Sequence, residues 1–309
     1  MASKWKTCII EYVEMTFVQQ LAILIINTLV GVMNILINGF LIYALKKLKK
    51  LNTASYRFMM FLSISDLSLG IFQLVVQTLP YIKDKQTSSI VILIMQFALY
   101  FIAPFSACMI MIIALDRYVH MKYLTYYNTV MTVSRARLVV LYNVALNLTT
   151  ATILTLSSVY GFFFVYHTML TCLYLLVILG TFILYLVTYR SIRRRTANLT
   201  IARDKSRKKV DANRGFAKGM LFVLLSLVIC YIPNHAIGMA RNVINHAGRQ
   251  PPSTFQYVLL WAIILSYMNG TLNALALILC NKQLRKFVVT TFSCRRREEP
   301  SAINSVVIA

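Results

Sequence analysis

The chain has 309 residues, of which 59% are hydrophobic and only 13% charged, with a mean hydropathy of +0.68. Soluble domains carry about a quarter charged residues, so this composition excludes an ordinary water-soluble domain and points to a membrane. The net charge of +23 comes from 32 Lys and Arg against 9 Asp and Glu. These charges fall in short blocks between apolar runs, which suits anionic lipid and excludes a nucleic-acid-binding stripe.

Seven apolar runs approach or exceed the ~20 residues needed to cross a bilayer. They lie at about 18–45, 54–82, 88–122, 135–160, 166–192, 214–241 and 254–280. The first is too long for a signal h-region and lacks a small-residue cleavage site, so no cleavable leader is expected. Residues 193–213 read as a basic loop. A short amphipathic segment at 282–293 sets Leu284, Phe287 and Val288 on one face and Lys282, Arg285 and Lys286 on the other, as for a helix lying in the lipid interface. Residues 1–17 read as a short outer N-terminus, 18–293 as one seven-span domain of all-α class with its interfacial helix, and 294–309 as a polar tail. Of the 32 Lys and Arg, 26 fall on one side of this topology. The positive-inside rule then places the N-terminus outside and the tail in the cytoplasm.

The third run ends in Ala114-Leu115-Asp116-Arg117-Tyr118. Arginine near membrane depth costs about 2.5–3.5 kcal/mol and needs a partner, and Asp116 is adjacent. Two readings are open at this point: a snorkelling anchor at a helix end, or a functional ion pair. Polar groups that stand out inside the spans are Asn38, Asp66, Ser106, Asn269 and Asn273. Asp66 is the lone carboxylate within a membrane interior, so it must be protonated, paired or cation-bound. One reading is a protonated hydrogen-bonding group. The other is a hydrated Na+ site at Asp66 with Ser106, Asn269 and Asn273 as oxygen donors. The six cysteines show no metal-ligand spacing and suggest no disulfide framework, and the four histidines show no zinc pairing.

Seven spans, Asp116-Arg117-Tyr118 closing the third, Leu62-Ser63-Ile64-Ser65-Asp66 in the second and Cys230-Tyr231-Ile232-Pro233 in the sixth resemble a rhodopsin-like (class A) G protein-coupled receptor. The 28-residue separation of Asn38 and Asp66 also matches that family. The resemblance runs from about residue 20 to 295. It implies a multi-pass plasma-membrane receptor with an extracellular ligand, a heterotrimeric G protein and membrane lipid as partners. No enzymatic activity and no resident cofactor beyond an allosteric Na+ are expected. Asp116, Arg117 and Tyr118 correspond to the G-protein switch, and Tyr189 to the fifth-span tyrosine that meets the arginine on activation. Asp66, Ser106, Asn269 and Asn273 correspond to the sodium pocket. Tyr231 and Pro233 correspond to the sixth-span toggle and kink about which that helix swings outward.

The departures from the family pattern are several. No cysteine stands near Ile92 for the usual outer disulfide, though Cys8 and Cys172 offer another pairing. Val144 replaces the fourth-span tryptophan, Thr181 the fifth-span proline and Tyr231 the sixth-span tryptophan. The seventh span reads Asn273-Ala274-Leu275-Ala276-Leu277, without the family's proline and tyrosine. Asn213 stands near the place of an acidic partner for the arginine, so raised basal activity is expected.

For the ligand, the seventh span has no lysine to form a retinal Schiff base. Leu99 stands where amine receptors carry an aspartate. Gln96, Tyr100, Asn234, His235, Ser266 and Tyr267 predict a cavity for a small non-amine molecule or a peptide. His235 resembles a histidine of adenosine receptors, and its other reading is a packed, bonded histidine. Arg241 reads as an anion attractor or an interfacial anchor. Cys294, flanked by three arginines, reads as a palmitoylation site. The competing functional class is a seven-helix transporter or channel, but the chain lacks the Gly/Pro-broken helices and inverted repeat that class uses.

Overall fold

The computed structural model describes residues 16–48, 53–78, 89–123, 126–160, 162–199, 205–249 and 251–292. The helices are α1 (Phe17–Lys47), α2 (Ala54–Thr78), α3 (Ser89–Lys122), α4 (Tyr127–Val130), α5 (Val133–Val159), α6 (Phe163–Leu199), α7 (Lys205–His246), α8 (Ser253–Cys280) and α9 (Lys282–Phe292). Seven of them, all except α4 and α9, are long and apolar enough to cross a membrane. Among the described residues there is no strand. Cys8, Cys294 and the loop around Pro80 lie outside the described residues, as do the side chains of Lys208, Lys209, Asn213, Arg214 and Lys218.

Capping fixes the starts of two spans. Thr16 Oγ1 accepts the Gln19 N–H at 3.3 Å while Thr16 N–H donates to Gln19 Oε1 at 3.1 Å, a reciprocal capping box. Thr132 Oγ1 accepts the Arg135 N–H at 3.3 Å to open α5.

In lipid the hydrophobic effect does not drive helices together, so small residues and buried polar groups set the contacts. On α1, Asn27, Gly31, Asn34 and Asn38 recur at helical spacing and are buried. They face α2, where Gln73 Nε2 donates to the Asn27 carbonyl at 3.0 Å and also to Asn27 Oδ1. A Cβ at Gly70 would lie 3.1 Å from the Gly31 carbonyl oxygen, so the two backbones pass close together. A central apolar cluster joins Phe58, Leu62, Met109, Val140, Val177 and Leu227 from five spans. Leu175, Leu176, Leu179, Phe182 and Ile183 of α6 lie on the outside of the bundle, where lipid would cover them.

Two boundaries differ from expectation. The basic stretch 193–213 is largely helical, because α6 continues to Leu199 and α7 begins at Lys205. Arg and Lys are good helix formers, and a helix that leaves the bilayer need not end there. The sixth helix, α6, begins at Phe163, a few residues before the expected start near 166.

Candidate functional site

Arg117 lies five residues before the end of α3, beside Asp116. Asp116 is 1% exposed. Its Oδ2 accepts Ser55 Oγ at 2.6 Å, and its Oδ1 accepts Tyr127 Oη at 2.5 Å. Ser55 Oγ and Tyr127 Oη are themselves 3.0 Å apart. The closed ring ties α2, α3 and α4 to one carboxylate. Arg117 Nε lies 3.8 Å from Asp116 Oδ2, the outer limit of an ion pair. Two hydroxyls therefore share the carboxylate with the guanidinium and weaken its hold. His120 meets the Tyr127 ring edge-on at 4.5 Å. Burial, then the neighbouring Asp116 charge, pushes the Tyr127 hydroxyl above its ordinary value of 10.0. It stays a protonated donor through the neutral range. Tyr118 lies 5.8 Å from the Lys122 ammonium.

Sequence reasoning reached Asp116 and Arg117 but missed Ser55 and Tyr127. The signal for Tyr127 was a tyrosine eleven residues after an aspartate, in a stretch with no periodicity, and only the fold of α4 gives it meaning. Tyr189 is 45% exposed and stacks on Tyr185 at 6.1 Å, so the structure does not bring it to Arg117. Its neighbour Thr188 points inward and is 1% exposed.

The expected polar core is brought together. Ser106 Oγ donates to Asp66 Oδ1, and Asn273 borders the same carboxyl. Asn34 Nδ2 donates to the Asp66 carbonyl at 3.0 Å, and Asn38 Nδ2 to Asn34 Oδ1 at 2.8 Å and to the Gly270 carbonyl at 3.3 Å. A Cβ at Gly270 would lie 2.7 Å from Asn34 Oδ1, so this glycine lets α8 close on α1 and α2. Asp66 Oδ2, Asn269 Oδ1 and Asn273 Oδ1 are buried with no hydrogen-bond partner. Orphaned oxygens that include one carboxylate fit a hard monovalent cation. Among the described residues no three His, Cys, Asp or Glu side chains gather, so a transition-metal site is not supported.

Tyr231 lies beside this core. It is 4% exposed, and its hydroxyl accepts Asn269 Nδ2 at 3.3 Å. Pro233 lies inside α7. Tyr174, which the sequence did not single out, packs its ring at a tilt against His235 at 4.2 Å and against Tyr231 at 4.6 Å between ring centroids. His235 Nε2 is buried with no partner. The bonded-histidine alternative therefore lacks its bond at that nitrogen, and a ligand acceptor or donor would complete it. The other expected cavity residues divide. Tyr267 lies near Tyr174, and Asn234 is half-buried. Gln96 Oε1 is taken by Ser158 Oγ at 3.0 Å, Ser266 Oγ donates to its own helix at Ile263, and Tyr100 packs against Ala151 and Leu154. Those three groups serve contacts between or within spans. Cys172 is exposed and unbridged.

A bundle of seven spans with a buried acid beside an arginine at one end and a polar core at mid-depth defines a class of membrane receptor. Residues 37–275 match the family described as 7 transmembrane receptor (rhodopsin family), and the chain belongs to that family. Over 124 residues it is 24% identical to bombesin receptor subtype-3 of Ovis aries, covering 39% of this chain and 31% of that protein. Over 100 residues it is 22% identical to the [Phe13]-bombesin receptor of Bombina orientalis, covering 32% of this chain and 26% of that protein. The chain thus spans less than a third of the curated relatives it matches.

Proposed function

We propose that the protein is a plasma-membrane receptor with its N-terminus outside, and that it converts binding of an extracellular ligand into G-protein activation. The observation that carries this reading is Asp116, buried and doubly hydrogen-bonded beside Arg117, within the span of the family match. The excess of Lys and Arg on the Arg117 side supports a cytoplasmic location for that end.

Switching is between two states. At rest Asp116 shares its charge between Ser55, Tyr127 and Arg117. The ligand sits against the Tyr174–Tyr231–His235 ring cluster and completes His235 Nε2. Tyr231 is the coupling point, because its ring touches the ligand floor and its hydroxyl touches Asn269 of the polar core. A shift of Tyr231 alters the core and swings α7 outward about Pro233. The Arg117 end then opens to accept a G-protein helix. Na+ held by Asp66 with Ser106, Asn269 and Asn273 would neutralise the carboxylate and favour the resting core. The bombesin-receptor similarity favours a peptide ligand over a small molecule.

The test is a screen of bombesin-like peptides and a small-molecule library on cells expressing the full chain with a promiscuous G protein. A ligand that signals through wild type but not through Arg117→Ala supports the reading. Ion flux in proteoliposomes without nucleotide exchange on any G protein would replace it with a channel or transporter.

A further inference from the structure

The Arg117 end of α7 meets the end of α8 at Gly219 and Cys280. Gly219 is buried, and a Cβ there would lie 2.6 Å from Cys280 Cβ and closer still to its Sγ. Non-bonded carbons rest at about 3.5–4.0 Å, so the helices approach this closely only because residue 219 has no side chain. The α8 side of the contact is anchored. Asn281, the next residue, accepts the N–H groups of Gln283 and Leu284 at 3.0 and 3.3 Å and donates to Tyr56 Oη of α2 at 3.2 Å. Tyr56 Oη donates onward to Gln283 Oε1 at 3.0 Å. Leu284 is fully buried among Leu41, Leu45, Met59 and Ile278. Cys280 is thereby tied to α1, α2 and α9. The α7 side is tied differently. Pro233 lies fourteen residues from Gly219 and removes one hydrogen bond from the helix, leaving a lever of about 21 Å below it.

We infer that Gly219 against Cys280 is a latch that holds the inner end of α7 closed, and that added bulk at this contact, from either helix, opens the Arg117 crevice without ligand. The inference rests on the reading of α7 as the moving element. Because Cys280 is anchored, the ~1 Å of extra separation that a methyl group needs falls on α7.

The test uses the full chain in lipid nanodiscs, with two readouts. The first needs no G protein: the rate of N-ethylmaleimide addition at Cys280, measured by mass spectrometry against buried Cys230 in the same molecule. Gly219→Ala should raise that rate roughly threefold or more, because α7 no longer covers the thiol. The second is basal nucleotide exchange on a panel of heterotrimeric G proteins. Gly219→Ala and Cys280→Leu should each raise it roughly three- to tenfold, and Cys280→Gly added to Gly219→Ala should return it toward wild type. An unchanged labelling rate in Gly219→Ala, or raised exchange that Cys280→Gly fails to reverse, overturns the latch. Faster labelling with no exchange in any variant leaves the latch standing and removes the G-protein reading instead. Should Gly219→Ala not accumulate as folded protein, Cys280→Leu decides alone through exchange, and a wild-type rate there overturns the latch.

Discussion

On the proposed reading Asp116 holds the resting state, and the structure gives it three partners where the sequence offered one. Asp116→Asn removes the charge that holds Arg117, so basal exchange should rise roughly three- to tenfold. Tyr127→Phe should do the opposite. It deletes one competing hydroxyl, leaves the carboxylate freer for Arg117, and should lower basal exchange in the same assay. The Tyr127 contact should not titrate near neutrality. Its folded-state value is raised, so its contribution to stability is complete below pH 10, the ordinary tyrosine value, and is lost only above it. A thermal-unfolding difference between wild type and Tyr127→Phe that changed between pH 6 and 9 would contradict this. At mid-depth, Asp66→Asn should abolish any effect of Na+ on ligand affinity, read by competition binding with and without NaCl. Asp116, Asp66 and Ser106 were legible because charge and hydroxyl are rare at those depths. Ser55, Tyr127 and Tyr174 were not, since a serine, a loop tyrosine and one of 18 tyrosines carry no positional signal until packing assigns them.

Among the helices, all seven spans were legible from apolar runs, because a bilayer demands about 20 residues of nearly unbroken hydrophobicity. Their aqueous ends were not, and α6 and α7 extend well past the apolar limits. The faces were legible only where a singled-out polar residue marked them, as with Asn38 on α1, while Asn27 and Asn34 on the same face took their meaning from the packing. The role of Gly70 was hidden, since a glycine in a span reads equally as a packing point or as a neutral choice. Its Cβ space is limited by the Gly31 carbonyl and Asn34, so Gly70→Leu should force α1 and α2 apart at a cost of about 1–3 kcal/mol. Thermal unfolding of the detergent-solubilised protein would show this as a lowered midpoint, and an unchanged midpoint would mean that the contact carries little of the stability.

At the scale of the molecule, a series of contacts runs from His235 through Tyr174 and Tyr231 to Asn269, and a separate ring of hydrogen bonds surrounds Asp116 beside Arg117. The seventh span has Ala274 and Leu277 where the family pattern sets a proline and a tyrosine. Leu277 packs among apolar side chains of both the central and the α1–α8 clusters. Asn213 stands near the usual place of an acidic partner for Arg117, and on the proposed reading Asp116 is then the main group holding Arg117 at rest, which is why basal activity is expected to be raised. The proposed membrane orientation rests on the Lys and Arg asymmetry and has a direct test. An epitope tag at the N-terminus should be stained on intact cells, and staining only after permeabilisation would reverse the topology. The most direct measurement of the central claim is basal nucleotide exchange on a panel of heterotrimeric G proteins by the purified chain in nanodiscs, for wild type and Arg117→Ala. Exchange above the receptor-free rate in wild type, falling to that rate in Arg117→Ala, is the predicted result. Equal rates in the two proteins would contradict it.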